Sequence, residues 1–105
     1  MSGDNNGQGA EAPDAGTLTV TEAYEQSMMG MHEEMMEGLR HDNPDVAFVL
    51  GMIPHHQVAI DMARIQLAAG SDRTNMALAQ HIIAEQQKEI EAMRAWLRQR
   101  GNETE

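Results

Sequence analysis

The side chains here that can do chemistry are thioethers and imidazoles. Ten of 105 residues are Met and five are His, while Cys is absent. Met28, His32 and Met35 are spaced i, i+4, i+7, so one helical face offers two sulfurs and an imidazole. Met52 and His56 are spaced i, i+4, and His55 and Met62 i, i+7. Thioether with imidazole, and no thiolate, is a soft donor set suited to Cu(I). Thioethers bind without deprotonation, and they persist where cysteines would pair. Zinc prefers Cys or several convergent His, and calcium and magnesium require oxygen shells. The missing cysteines also exclude disulfides, thiolate nucleophiles and iron–sulfur clusters.

Enzyme signatures do not occur. The di-iron bundle motif needs Glu three residues before a His on two helices. The residues at that offset are Met29, Gly38, Met52, Ile53 and Leu78. There is no His-Glu-x-x-His pair, Gly-rich phosphate loop or Gly-x-Ser-x-Gly elbow. The sequence therefore predicts a non-enzymatic protein. Seven Lys and Arg against 17 Asp and Glu leave a net charge of -10, which disfavours nucleic acid and anionic membranes. No uninterrupted apolar run approaches 18 residues, so no transmembrane segment is expected.

The chain has room for one small domain. Residues 1–17 hold no large apolar side chain after Met1 and read as a disordered leader. They resemble the polar tether of an exported protein or lipoprotein, which places the signal segment and any lipid anchor upstream. An ordinary floppy terminus is the alternative. Residues 18–101 predict an all-α bundle of three antiparallel helices, and 102–105 a frayed C-terminus. The first helix spans Val20 to Arg40, with Thr19 and Glu22 as a capping box. The second spans Pro44 to Ala69, capped by Asn43 and stopped by Gly70, with a kink expected at Pro54. The third spans Asp72 to Arg100, with Ser71 as N-cap and Gly101 closing it.

At 100° per residue each helix has an apolar stripe. On the first helix Met28, Met31 and Met35 are central. On the second His56 lies within the stripe and His55 on its shoulder. On the third Gln86 and Glu89 fall among Ala79, Ile82, Ile83, Ile90, Met93 and Leu97. Inward polar groups cost about 1–3 kcal/mol each without partners. Either they satisfy one another, Glu89 accepting from His56 and Gln86 completing the network, or they surround a ligand. In the second case Glu89 orients the imidazole from behind. The Met stripe likewise has a plain reading as a flexible core in a chain with 3% aromatics.

The stretch Asp45-x-x-Phe48-x-x-x-Met52-Ile53-Pro54-His55-His56-x-x-Ala59-Ile60-x-Met62-Ala63 resembles the hallmark of the domain of unknown function 305 family. The resemblance continues through Leu78-Ala79, Ile82-Ile83, Gln86, Glu89-Ile90, Met93 and Trp96-Leu97. It implies a ferritin-like helical bundle, usually in exported (periplasmic) bacterial proteins, of which some are linked to copper binding and tolerance. Carried onto this chain, it implies Met52, His55, His56, Met62, Gln86, Glu89 and Met93 as candidate positions, alongside the cluster around His32. One motif copy is present where some relatives carry two, so a homodimer is expected to complete a four-helix core. Together these readings predict an exported Cu(I)-sequestering or Cu(I)-transferring protein. The alternative is an interaction module whose His/Gln/Glu network only specifies packing and oligomerisation.

Overall fold

The computed structural model describes residues 18–100; the expected leader and frayed C-terminus, and Gly101, lie outside them. Three helices follow in order: α1 (Val20–Leu39), α2 (Pro44–Ala69) and α3 (Arg73–Gln99). No strand occurs among the described residues, and the fold is an all-α bundle.

The helix ends follow from local chemistry. Thr19 Oγ1 accepts from the Glu22 N–H at 3.0 Å, and Glu22 Oε1 accepts from the Thr19 N–H at 3.1 Å, closing the capping box. Asn43 Oδ1 accepts from the N–H groups of Asp45 and Val46 at 2.9 and 3.2 Å. At α3 the cap is Asp72 rather than Ser71: its Oδ2 accepts from the Asn75 N–H at 3.0 Å. A carboxylate at this position meets both the orphan N–H groups and the positive helix end, which a hydroxyl does less well. Gly70 stops α2, but with φ -88° and ψ 175°. It is extended, so the stop does not use the left-handed region that glycine favours.

Both α1 and α3 pack on α2; their backbones do not approach each other, and Tyr24 of α1 reaches the opening beside Leu78 and Ile82 of α3. The single-stripe reading of α2 is therefore incomplete, because α2 has two seams. Ala47, Gly51, Pro54 and Val58 are buried on its α1 side, and Val49, Ile60 and Ala63 towards α3. Near the α3 C-terminus, Val46, Val49 and Leu97 form a cluster flanked by Leu50, Ile53, Met93 and Trp96. By length and composition α2 resembles a membrane span, with a mean hydropathy of 1.2. Of that apolar stretch, 39% is buried inside the bundle.

Helix α2 runs unbroken through Pro54. Proline has no N–H, so the Leu50 carbonyl lacks its partner four residues on. The α1 backbone fills that place: a Cβ on Gly38 would lie 2.7 Å from both the carbonyl carbon and oxygen of Leu50. Only a bare glycine Cα fits so close an approach. On α1 the seam is Met31, Met35 and Gly38, all half-buried, whereas Met28 is exposed and off it. The expectation that Met28 is central is thus corrected. A helix packed on one neighbour only needs a narrow stripe.

Candidate functional site

The groove between α2 and α3 brings together residues from both helices. Its middle section, about 370 Å³, is lined by Phe48, Met52, His56, Glu89, Ala92 and Met93. Antiparallel packing sets the turn carrying Met52 and His56 against the turn carrying Glu89 and Met93. Two thioethers, one imidazole and one carboxylate therefore share one wall-to-wall opening.

The imidazole is held at both nitrogens. His56 Nδ1 is 2.9 Å from the Met52 carbonyl oxygen, and Nε2 is 2.5 Å from Glu89 Oε1. A carbonyl only accepts, so Nδ1 carries the hydrogen and donates it. Nε2 then faces the carboxylate. Either Nε2–H donates to ionised Glu89, making an imidazolium–carboxylate pair, or a protonated Glu89 donates to neutral Nε2. The His56 side chain is 13% exposed and that of Glu89 58%, so the contact sits at the rim of the groove. An ion pair so open to water stabilises by at most about 1 kcal/mol.

An Nδ1–H donated to a backbone carbonyl is the arrangement that frees Nε2 for a metal. Here the orienting group is the Met52 carbonyl. Glu89 meets the ring at Nε2, the contact expected of the closed His56–Glu89 network, rather than at the nitrogen taken by the Met52 carbonyl. Gln86 is half-buried and makes no hydrogen bond to the pair.

The remaining candidates are dispersed. His55 is exposed; its ring centroid is 6.4 Å from that of His56 and the planes diverge by 61°. Met62 lies further along the groove, beside Tyr24, Ala59 and Leu78. On α1, Met28 and His32 are exposed while Met35 packs towards Gly51. The proposed Met28–His32–Met35 face is therefore split between solvent and seam. Met28 and His32 stay exposed, as does Met36 one turn further on. Among the described residues no three imidazole or carboxylate groups converge. A metal bound in this groove would depend on sulfur.

Sequence reasoning did not anticipate Phe48 and Ala92 as walls of this opening. The signal was available: Phe48 precedes Met52 by four residues and Ala92 follows Glu89 by three, so each lies on the same helical face as its neighbour.

The fold and groove define a small all-α protein with a polar contact set between two antiparallel helices. The family model described as "Domain of unknown function (DUF305)" matches residues 4–97. The chain belongs to that family. A comparison with curated proteins finds no match for it.

Proposed function

We propose that this chain binds Cu(I) in the α2–α3 groove and holds or passes it on in an exported setting. What carries the reading is the meeting of Met52, His56 and Met93 around one opening, with Nδ1 already committed to the Met52 carbonyl. Two neutral sulfurs and Nε2 make a three-coordinate soft site, and copper would displace Glu89 to reach it. Phe48 and Ala92 add apolar walls to the opening. A chain without cysteine, rich in Met, suits an oxidising compartment. Competition against a Cu(I) chelator tests the reading. One equivalent is expected to transfer to the wild type, and none to Met52→Leu with His56→Ala.

A second reading rests on the same contact. With both ring nitrogens satisfied, the His56–Glu89 pair works as a register pin between α2 and α3 without a ligand. On that reading copper leaves the melting temperature unchanged, whereas a ligand bound only by the folded state raises it.

A further inference from the structure

We propose that the open front of the α2–α3 pair is a self-association surface, on which a second copy of this chain packs to form a two-fold dimer. The proposal does not require copper, but Phe48, Met52, Glu89 and Ala92 line both this face and the copper groove, so a second copy packed here covers that opening. Helices α1 and α3 occupy the two flanks of α2, and apart from Tyr24, which lines the end near Met62 and Leu78, no α1 residue lines the grooves along this face.

The face has the pattern of a helix-packing seam. Along α2 run Phe48, Met52, His55, Ala59, Met62 and Gln66, spaced 4, 3, 4, 3, 4. Along α3 the same spacing runs from Leu78 through Ile82, Glu85, Glu89 and Ala92 to Trp96. This alternation presents side chains to another helix at a shallow crossing angle. Three of its apolar members are left in water, Phe48 62% exposed, Leu78 52% and Met62 43%, while Trp96, Met52 and Ile82 are half-buried. Three grooves open along this face, from Asp45 and Trp96 at one end to Gln66 and Asn75 at the other.

Charge is distributed to suit a second copy. Two chains of charge -10 repel, so a shared face must keep its acidic groups neutralised. Glu89 is paired with His56 and Glu85 with Lys88, the latter at 3.2 Å. The opposite groove between the same helices has Ile60 and Ile90 at its base, both buried, and Gln57, Arg64, Gln87, Glu91 and Arg94 around them. The back is thus rimmed by charged and amide side chains, the front by more apolar ones.

Size agrees. A 26-residue helix is about 39 Å long, and two packed helices present a strip about 20 Å wide, hence about 800 Å². A standard stable interface buries about that much per partner. The core of the described residues is small: among them only Ile60 and Val46 are large, fully buried side chains. Residues 1–17 carry no large apolar side chain after Met1, so they have nothing with which to fill the face.

Sedimentation equilibrium of the full chain tests this at about 100 μM, well above a micromolar Kd. Twice the chain mass is expected. Phe48→Asp with Leu78→Asp should halve it with helicity retained, while Arg64→Asp on the back should not. A wild-type monomer, or a dimer that survives the double front substitution, overturns the proposal. A second readout covers a front variant that unfolds. His55 lies midway along the α2 stripe, and the chain has no cysteine. His55→Cys should cross-link to itself with a short bismaleimide, and Arg64→Cys should not. Equal yields from the two, or none from His55→Cys, also overturn the proposal. So does wild-type protein that dimerises only with an unrelated apolar helix.

Discussion

Alanine at Gly30 should raise stability, whereas alanine at Gly38 should leave it unchanged or lower it, although both replace a glycine in α1. Exchanging a helical Gly for Ala gains about 1 kcal/mol by reducing the freedom lost on folding. Around Gly30 a new Cβ meets no heavy atom within 4 Å, so the gain is kept. For a domain of this size it corresponds to a rise of about 4–8 °C in melting temperature. At Gly38 the Cβ would sit 2.7 Å from the Leu50 carbonyl carbon and oxygen and 2.8 Å from Leu50 Cβ. Those are backbone and near-backbone atoms of a rigid helix, which cannot rotate aside. Forcing them apart costs about 1–3 kcal/mol, which cancels or exceeds the propensity gain. The two variants should therefore melt about 10 °C apart. Gly51 supplies an intermediate. Its added Cβ would lie 2.8 Å from Leu39 Cδ2, the tip of an exposed side chain that can swing away. Circular-dichroism melts at one fixed protein concentration give the order Gly30→Ala, Gly51→Ala, Gly38→Ala, from highest to lowest. A Gly38→Ala protein melting at or above Gly30→Ala would mean that α1 does not approach α2 as described.

Other expectations concern the groove and the caps. Met52→Leu with His56→Ala should abolish Cu(I) transfer from a chelator, while His41→Ala in the α1–α2 connection should leave it intact. Glu89→Ala should raise Cu(I) affinity, because it uncovers Nε2 and removes a hard carboxylate that Cu(I) binds poorly; a loss of affinity would make Glu89 a ligand. Acidification should weaken copper binding, since a ligating imidazole must give up its ring proton, and a pH-independent affinity would point to sulfur alone. Asn43→Ala removes the acceptor for two backbone N–H groups at the start of α2 and should cost about 1 kcal/mol in a urea unfolding experiment.

The helix ends were legible because they depend on neighbours in sequence: Thr19 with Glu22, and Asn43 with Pro44, act within one turn. Asp72 was passed over for Ser71 since both are competent caps and only the path of the chain decides between them. The seam on α3 was also legible, with Ala79, Ile90 and Leu97 buried as the stripe predicts. Helix α2 misled for a physical reason. A periodicity argument assumes one buried side, and α2 is covered on two. The pairing of His56 with Glu89, 33 residues apart, was readable as two inward polar groups. The side of the ring that Glu89 approaches was not, because it depends on the relative rotation of two helices. Met28 and Met35 could not be told apart by spacing, as α1 has a single neighbour whose direction the sequence does not encode.

Because the backbones of α1 and α3 each pack on α2 and not on each other, the molecule is built like two pages on one spine, with Tyr24 reaching across near Leu78. Turning one page leaves the Met52–Met93 end of the other undisturbed. Amide protons of α1 are then free to exchange as a block, with the α2–α3 groove still shut. Substitutions that loosen the Gly38 crossing should leave the rim around His56 intact. The outer helices can thus vary in sequence or angle on separate schedules, provided the spine keeps both of its edges greasy.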